Sequence, residues 1–361
     1  MSGPLLLHSL AEFRELIFEC FDVVRPDSLV EVGAEDGTFT VELLRWARDH
    51  EATVHAVEPF PTPAITELVA SWPELHLVEE HSPAALEKLQ PADVYLVDGV
   101  HNYVPVRAEL EAIFGGEGER PCLAFLHDVG WPSGRRDMYY DPGSLPPEAV
   151  HPHTYEKGVV PESDKVVEGG FRGAGHFAWA RHEGGPANGV RTAVEDFLTA
   201  HEQELVLRTV PCVFGLGVVY PASAPWAAPL GDVLAPYADN PLLARMEENR
   251  LSLYLAVLEL QDHLARTAQL LEQAQLERRD VDAENRALWA RTRELEHLLD
   301  DQVASLESRL QMLRNEVEQL AQSRAFALAE GISRAKQLAG SAGSPLSRRR
   351  LRELLEATGP G

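Results

Sequence analysis

Two aspartates and a histidine stand where two neighbouring strands are predicted to end. Asp98 follows one apolar run with His101 three residues later, and Asp128 follows the next apolar run along the chain. The carboxyl ends of parallel strands share one edge of a sheet, so the two carboxylates should lie close together and repel unless a cation separates them. We therefore predict a Mg²⁺-type site at Asp98 and Asp128, with Asp98 and His101 as the catalytic residues and His101 as the base. The alternative is that both aspartates only cap loops.

A second group of residues surrounds the first predicted strand-to-helix turn. The segment from Glu31 to Gly37 reads E-x-G-x-x-x-G, and Glu58 ends the second strand. Glycines let the backbone approach a ligand, while acidic side chains repel a pyrophosphate and suit a ligand that carries a positive charge and hydroxyl donors. S-adenosylmethionine (SAM) is such a ligand, although an ordinary tight turn would also explain the glycines. The predicted cofactor-binding residues are Glu31, Gly33, Ala34, Glu35, Gly37, Glu58 and Ser82.

The loop after the fifth predicted strand carries side chains that could grip a polar or anionic substrate. Arginines bind anionic oxygens through paired hydrogen bonds, and tyrosine rings stack on sugars. The predicted substrate residues are Arg135, Arg136, Asp137, Tyr139 and Tyr140. Alternatively, both arginines pair with the many acids of the same domain. His151 and His153 lack a third ligand at helical spacing and are interpreted as solvated loop residues.

The elements that must position these residues alternate between short apolar strands and amphipathic helices from Leu10 to about residue 130. Such alternation is typical of a parallel sheet covered by helices on both faces. Two later runs, Leu205–Val210 and Phe214–Tyr220, predict a closing antiparallel pair. Residues 131–177 hold many Gly and Pro and are predicted to be a lid or substrate-binding insertion. The predicted fold class is therefore α/β, a Rossmann-like sheet with helices on both faces, followed by a long α-helical coiled-coil tail.

The C-terminal part of the chain changes character. The predicted organisation is a head over 1–222, a Pro/Ala-rich linker over 223–241, a coiled coil over 242–330 and a flexible basic C-terminus over 331–361. Apolar heptads run from Leu253 to Leu320 with one four-residue stutter, so we expect a homodimer through residues 253–320. Asn285 in the seam favours a parallel arrangement. An antiparallel hairpin and one long helix lying on the head are the alternatives.

Charge and composition limit the classes of function. Of the 361 residues, 45% are hydrophobic and 25% are charged, as in ordinary globular proteins. Residues 1–240 carry 15 Lys and Arg against 38 Asp and Glu, so this head should repel a phosphate backbone. We expect neither a nucleic-acid nor a membrane partner, since no apolar run approaches the roughly 20 residues of a membrane helix. The first residues lack the basic region of a signal peptide and the three cysteines are scattered, which predicts a cytoplasmic protein.

Four motifs together resemble those of class I SAM-dependent methyltransferases, and more narrowly of the methyltransferase-24 family, which includes metal-dependent bacterial sugar O-methyltransferases. The motifs are LVEVGAEDGTFT, VHAVEP, VDGVHNYVPVRAEL and FLHDV. The D-G-x-H-x-Y motif followed by H-D is the most specific part, and the resemblance covers about residues 10–221. The tail sequence SRAFALAEGISRAKQL is similar to coiled-coil tails on bacterial enzymes of surface-glycan assembly.

The resemblance implies roles for residues already singled out. The implied SAM contacts are Glu31, Gly33 and Gly37 on the methionine part and Glu58 on the ribose. Asp98 and Asp128 match metal-binding positions, and His101 matches the position proposed as general base. Some relatives carry two successive acids after the fifth strand, where this chain has His127-Asp128. The third metal ligand is therefore open.

Residues and resemblance together predict a SAM-dependent O-methyltransferase. Its acceptor would be a hydroxyl of a sugar, a glycan or a glycosylated metabolite, and a divalent cation such as Mg²⁺ would assist. Two alternatives stay open: a related hydroxylase-like enzyme, because some relatives are hydroxylases, and a coiled-coil scaffold whose head only binds SAM or a glycan. The intact set of Asp98, His101 and Asp128 favours an enzyme.

Overall fold

The computed structural model describes residues 6–116, 120–340 and 347–357. The chain divides into two compact units, Met1–Arg266 and Thr267–Gly361. All the predicted site residues belong to the first unit. That unit extends well beyond residue 222, the predicted end of the head, and includes the beginning of the long C-terminal helix.

A seven-stranded sheet is the centre of the first unit. In chain order the strands of this unit are β1 (Ser28–Val32), β2 (Thr53–Val57), β3 (Leu75–Val78), β4 (Val94–Val97), β5 (Leu123–Leu126), β6 (Met138–Tyr139), β7 (His153–Thr154), β8 (Ala178–Ala180), β9 (Leu205–Val210) and β10 (Leu216–Pro221). The order across the large sheet is β3-β2-β1-β4-β5-β10-β9. Strands β1 to β5 run parallel, and β10 lies antiparallel to both β5 and β9. The predicted parallel sheet with a closing antiparallel pair is confirmed.

Helices cover both faces of this sheet. In chain order they are α1 (Arg14–Val24), α2 (Thr38–His50), α3 (Pro63–Ser71), α4 (Ser82–Lys88), α5 (Tyr103–Phe114), α6 (Val190–Ala200), α7 (Ala227–Leu234) and the start of α8 (Pro241–Gln322). Leu29 and Phe125 pack with α1 and α2 in one core, whereas Val30 and Ala124 pack with α5 and α6 in the other. Successive strand residues point to opposite faces, so a sheet covered on both sides needs strands that are apolar throughout.

The site residues converge because the strand order reverses between β1 and β4. These two strands are neighbours, with Val32 paired to Val97. Loops after such a pair lead away in opposite directions and leave a crevice at the carboxyl edge of the sheet, where ligands bind in open α/β folds. Gly33 follows β1, Asp98 follows β4 and Asp128 lies just after β5.

The insertion over residues 131–177 is folded and packed rather than an open loop. Its strand β6 pairs with β8, and β8 pairs with β7, in a small antiparallel sheet. Met138, Val159 and Trp179 form a buried cluster beneath it. The indole N–H of Trp179 donates to the carbonyl of Phe171 at 2.9 Å. This packing fixes the wall that the insertion presents to the crevice.

The segment expected to be a linker contains a buried helix instead. Helix α7 lies within residues 223–241, and its Leu230 and Leu234 are 0% exposed in the same core as Leu29. The two leucines are four residues apart, which places them on one helix face. The Pro and Ala content concealed this spacing, because both residue types also occur in linkers.

The second unit is helical over most of the residues that the structure describes in it. Helix α8 continues to Gln322, and α9 (Arg324–Leu338) and α10 (Arg348–Ala357) follow. The side chain of Ser323 accepts a hydrogen bond from the Phe326 N–H at 3.1 Å and so caps α9. The long helix is consistent with the predicted coiled coil, but it breaks at Ser323 rather than at residue 330.

The C-terminus that we expected to be flexible is helical in α10 and in the last turns of α9. Residues 341–346 and 358–361, also included in that expectation, lie outside the described residues. Among the helices that the structure describes, none is long and apolar enough to span a bilayer.

Candidate active site

The turn after β1 brings the backbone against the end of β4. Gly33 has a φ of +86°, and a Cβ there would lie 2.4 Å from the carbonyl oxygen of Asp98. Gly37 precedes α2 with a φ of +80°, and its Cβ would lie 2.6 Å from Leu68 Cδ1. Both positions favour glycine, which leaves the backbone bare where the N-terminus of α2 meets the crevice.

Glu58 organises the other side of this turn. Its Oε2 accepts a hydrogen bond from the Glu35 N–H at 3.1 Å, and its Oε1 accepts one from the Phe60 N–H at 3.0 Å. Glu35 has a φ of +50°, and the neighbouring Ala34 is buried. A carboxylate has lone pairs beyond these two bonds, so Glu58 can still accept from a ligand hydroxyl. The structure thus brings three predicted cofactor residues, Ala34, Glu35 and Glu58, together at this turn.

Glu31 is a buried carboxyl beneath the turn. Its side chain accepts a hydrogen bond from Thr40 Oγ1 at 2.6 Å. Burial raises the pKa of Glu31 to about 8; the Thr40 hydrogen bond opposes this shift, and the charges of Asp98 and Glu58 add to it. Mutually repelling carboxyl groups of this kind favour a ligand with a positive charge.

The raised pKa of Glu31 predicts a stability that depends on pH. The unfolded chain releases this proton near the ordinary pKa of 4.5, whereas the folded protein holds it up to about pH 8. The associated stabilisation is fully present below the unfolded pKa and is lost as the pH rises through about 8. We expect Glu31→Gln to gain stability relative to the wild type between about pH 4.5 and about pH 8 in urea unfolding. A constant difference across this range would contradict a buried, protonated carboxyl.

Ser82 does not offer its hydroxyl to the crevice. It is the first residue of α4, and its hydroxyl donates to the buried carboxyl of Glu109 on α5. Burial raises the pKa of Glu109 to about 7, and the Ser82 hydrogen bond partly opposes this shift. The structure thus places the Ser82 hydroxyl between two helices, and a contact of this residue with a cofactor stays a prediction.

Three side chains meet at the ends of β4 and β5. His127 Nδ1 lies 3.0 Å from Asp98 Oδ1 and 3.0 Å from Asp128 Oδ2. The Nε2 of His127 lies 2.9 Å from the carbonyl oxygen of Val213. A carbonyl can only accept, so Nε2 carries a proton and Nδ1 is the nitrogen that faces the carboxylates. The ligand atoms of Asp98, His127 and Asp128 all lie within 4.8 Å of one another.

The charges in this cluster shift one another. Burial lowers the pKa of His127, but the carboxylates of Asp98 and Asp128 outweigh burial and hold that pKa well above its ordinary value. Burial raises the pKa of Asp128, but His101 and His127 hold it below its ordinary value. The cluster therefore accommodates one positive charge between its carboxylates, either a proton on His127 Nδ1 or a metal ion.

This donor set fits a divalent cation. A metal-binding histidine typically donates its remote N–H to a backbone carbonyl, as His127 does to Val213. His127 is thus the third candidate ligand that the sequence left open. Its position directly before Asp128 was the available signal, although some relatives carry two successive acids there.

His101 lies beside the same cluster. Its Nδ1 is 3.1 Å from Asp128 Oδ2, and its ring centroid is 6.0 Å from that of Tyr140. Because Asp128 engages Nδ1, Nε2 is the nitrogen that would meet a substrate proton. The other Asp98 oxygen, Oδ2, accepts the Leu10 N–H at 3.1 Å, which holds the N-terminal segment against the site.

His101 and Asp128 line a cavity of about 390 Å³. Most of its remaining wall is apolar. The aromatic lining residues are Tyr140, Phe171, Phe177, Trp179, Phe214 and Tyr254. A concave apolar site with a few polar groups at one end is the usual form of a small-molecule site.

A known family matches the segment of the chain that contains most of this site. The model of the methyltransferase-24 family, described as a methyltransferase domain, matches residues 30–125. Residues 30–125 belong to this family. The methyltransferase domain so defined contains the Gly33 turn, Glu58 and Asp98, and the match ends just before His127 and Asp128. No curated protein matches the chain.

Several solved methyltransferase structures are similar to this chain at low identity. A methyltransferase of Podospora anserina bound to S-adenosylhomocysteine (SAH) is 14% identical, with 57% of this chain and 76% of that chain covered and a TM-score of 0.35. A Burkholderia thailandensis N1-methyltransferase of 1,6-didemethyltoxoflavin is 15% identical, with coverages of 59% and 77% and a TM-score of 0.34. The N-terminal domain of EvdMO1, solved in the presence of SAH and D-fucose, is 16% identical, with coverages of 58% and 80% and a TM-score of 0.33. Such TM-scores are too low to assign a substrate to this chain.

Two predicted substrate arginines next to the methyltransferase domain do not line the cavity. Arg135 pairs with Glu195 at 2.6 Å on α6. Arg136 is 0% exposed and donates to the carbonyls of Ala180 at 2.7 Å and Asp164 at 2.9 Å. Both arginines hold the insertion together, and the alternative of pairing with acids holds for both, since Arg136 also lies 3.6 Å from Glu183.

Asp137 and Tyr139 are structural as well. Asp137 accepts hydrogen bonds from the N–H groups of Tyr103 at 2.8 Å and Gly189 at 2.7 Å. The buried hydroxyl of Tyr139 donates to Asp137 at 2.9 Å. Of the five predicted substrate residues, Tyr140 is therefore the one placed in the cavity wall. Sequence spacing could not separate the two successive tyrosines: Tyr139 ends β6 with a buried side chain, whereas Tyr140 follows the strand and is 51% exposed.

The buried position of Arg136 predicts a large loss of stability on its removal. Arg136→Ala would remove the Arg136 donor from the Ala180 carbonyl, one of two donors from the Asp164 carbonyl, which also accepts the Glu183 N–H, and the cation that pairs with Glu183. We therefore expect unfolding to need roughly 3 kcal/mol less free energy. Arg135→Ala is the control, because that side chain is 41% exposed and its removal should cost about 1 kcal/mol or less. Equal midpoints in urea for the two variants would contradict the assignment.

Proposed function

We propose that this chain is a SAM-dependent O-methyltransferase. The observation that supports this most directly is the close approach of the glycine turn after β1 to Asp98. Asp98 is one of the three residues of the Asp98–His127–Asp128 cluster. A cofactor lying over the turn would therefore end beside His101 and the cavity. A methyl donor and an acceptor hydroxyl could meet there without water between them.

The residues of the turn suit the parts of SAM. The N–H groups at the start of α2 and the bare backbone at Gly33 would meet its methionine part. A positive charge above Glu31 would favour the ionised form of this carboxyl, which would then compensate the charge, and Glu58 would accept hydrogen bonds from the ribose. These assignments follow both the chemistry of the residues and the resemblance to methyltransferases.

Asp98, His127 and Asp128 would hold the divalent cation. When bound, such an ion acidifies a hydroxyl and fixes its position. The acidic surroundings retain the ion, while His127 is oriented by Val213. Mg²⁺ is the ion that the sequence suggested; the imidazole nitrogen in the donor set also suits Mn²⁺ and other first-row metals.

His101 would act as the general base. Its Nε2 takes the proton from the acceptor hydroxyl, while Asp128 stabilises the imidazolium through Nδ1. The acceptor oxygen then forms a bond to the methyl carbon as the carbon–sulfur bond breaks. The electron pair of that bond stays on sulfur and gives the neutral thioether S-adenosylhomocysteine (SAH).

A sugar hydroxyl is the proposed acceptor, on a glycan or a glycosylated metabolite. The aromatic wall of the cavity supports this, because aromatic rings pack against the apolar face of a pyranose. The test is transfer of labelled methyl from SAM to neutral glycosides with Mg²⁺ or Mn²⁺ present. Label in the glycoside and release of SAH support the proposal. Binding of SAM without consumption, whatever hydroxylated acceptor is offered, would favour a scaffold instead.

We also propose that residues 253–320 join two chains in a coiled coil. Seam leucines such as Leu288 and Leu295 are 65% and 52% exposed in the single chain. We expect the wild type to sediment as a dimer and the double variant Leu288→Asp/Leu295→Asp as a monomer, because charges in a seam are poorly tolerated. Leu270→Asp/Leu298→Asp is the matched control, since these exposed leucines lie outside the seam and dimerisation should persist. A monomeric wild type, or a dimeric seam variant, would contradict the proposal.

A further inference from the structure

A continuous row of aromatic rings connects His101 to the first turns of α8. The His101 ring neighbours Tyr140 at 6.0 Å, and Tyr140 neighbours Phe177 at 6.3 Å. Phe177 lies 6.0 Å from Phe171, and Phe171 lies 5.8 Å from Tyr254 of α8. The cavity beside the proposed base is therefore closed at its far side by the helix that continues into the predicted coiled coil.

We infer that the first turns of α8 form one wall of the acceptor site, and that this site takes an uncharged, ring-shaped alcohol. Tyr254, Leu258 and Gln261 are the residues that α8 contributes. The inference rests on the proposed function, because the cavity is an acceptor site only if His101 is the base. It adds a specificity-determining wall outside residues 30–125, and it specifies the charge and shape of the acceptor.

The α8 wall is held in place from two sides. On one side, Glu247 accepts the N–H groups of Val213 at 3.0 Å and Phe214 at 2.9 Å, and Arg250 donates to the carbonyl of Leu7 at 3.0 Å. Val213 is also the residue whose carbonyl orients His127, so the wall and the cluster share one loop.

On the other side, Arg172 of the insertion pairs with Asp262, one residue beyond Gln261. Tyr254 and Leu258 lie between these two attachments along the helix. A wall fixed at both ends offers a defined shape, which a specificity determinant requires.

Charge excludes anionic acceptors. Among the described residues that line the cavity, none is Lys or Arg. The nearby Arg172 and Arg250 are paired with Asp262 and Glu247. The lining histidines His8 and His101 both act on the Asp128 carboxylate, and the charge of a divalent ion held at Asp98 and Asp128 would be balanced by those two carboxylates. A phosphate or carboxylate in this cavity would therefore lose its hydration without gaining an unbalanced cation. Ring faces and Leu258 instead suit the apolar face of a neutral pyranoside or phenol, while its hydroxyl meets His101.

The test measures acceptor binding to the full-length protein saturated with SAH and Mn²⁺, by calorimetry. Two pairs of probes separate the features: methyl glucoside against glucuronate, and catechol against protocatechuate. The variant is Leu258→Glu, and Leu258→Met is the conservative variant. Ala265→Glu is the matched control, because Ala265 is exposed about two turns further along the same helix and lies outside both the cavity lining and the seam.

We expect a neutral probe to bind about tenfold or more tightly than its anionic counterpart. Leu258→Glu should weaken that binding about tenfold or more, while Leu258→Met and Ala265→Glu should leave it near the wild-type value. All three variants should bind SAH as the wild type does. The neutral probe that binds decides between a pyranoside and a phenol.

Three results would overturn the inference: equal binding of an anionic counterpart, no binding of either neutral probe, or unchanged binding in Leu258→Glu. A wild-type protein that does not bind SAH is a different result. It would remove the proposed function itself, and the separate SAH titration identifies it before any acceptor is added.

Discussion

Replacing Asp128 by asparagine is expected to lower kcat/KM for methyl transfer by roughly 10²–10⁴-fold, the range typical of a lost general base. The expected cause is electrostatic, because the Oδ2 of Asp128 lies 3.1 Å from His101 Nδ1 and 3.0 Å from His127 Nδ1. Asparagine keeps the shape but removes the charge that stabilises the His101 imidazolium and that would bind a cation. SAM affinity should change little, since the cofactor residues of the β1 turn stay intact.

The backbone conformation of Asp128 accepts asparagine with little added strain. Asp128 has a φ of +60°, a conformation that asparagine tolerates better than most residues. Asp239→Asn is the matched control, because Asp239 is exposed, has a φ of +50° and lies away from the cavity. An Asp128→Asn enzyme with wild-type kcat/KM would exclude both the metal and the His101 assignment. A loss of SAM binding would place Asp128 in the cofactor site instead.

Replacing Gly33 by alanine is the second change with a large expected effect. The added Cβ would lie 2.4 Å from the Asp98 carbonyl oxygen and 2.6 Å from the Gly99 Cα, at a φ of +86°. Both obstacles are backbone atoms, so they yield only if β1 and β4 separate. We expect the free energy of unfolding to fall by at least about 3 kcal/mol and SAM binding to be lost.

Gly185→Ala separates the cost of placing alanine at a positive φ from the cost of the steric overlap. Gly185 has nearly the same φ, +87°, but a Cβ added there would have nothing within 4 Å. It therefore carries the conformational cost alone, about 1–2 kcal/mol. Urea unfolding of both variants measures the difference. If Gly33→Ala loses no more stability than Gly185→Ala, the close approach of the turn to β4 is wrong.

The residues at the strand ends were predictable because a parallel sheet leaves few choices. Once β1, β4 and β5 are recognised as apolar runs, Gly33, Asp98 and Asp128 must share one edge. Local sequence sets the strands, and the handedness of the crossover connections sets their order. The expected adjacency of Asp98 and Asp128 at one cluster follows from this geometry alone.

The direction of side chains in the insertion was not predictable in the same way. Arg136 has the composition of a substrate residue, yet its partners are carbonyls of Ala180 and Asp164, 44 and 28 residues away in sequence. Such long-range contacts leave no local pattern. Tyr139 ends a two-residue strand and Tyr140 follows it, and a strand so short has no readable alternation.

The sequence did not predict that α8 contributes to the cavity, because its heptad repeat indicates a coiled coil. Tyr254 and Leu258 lie within residues 253–320, which the heptads assign to a coiled coil, so no contact with the cavity was predicted for them. In the structure they face the cavity beside His101. His127 was concealed for another reason, since a histidine next to an aspartate identifies no ligand set until the fold brings Asp98 beside it.

Calorimetric titration of the purified protein with SAM, repeated with Mg²⁺ and with EDTA, tests the central claim most directly. The β1 turn and its carboxylates lie in one chain, so we predict saturable binding of one SAM per chain under all three conditions, with acceptor-dependent turnover only when a divalent cation is present. Absence of SAM binding under every condition would contradict the methyltransferase assignment and leave the coiled coil as the main function of the chain.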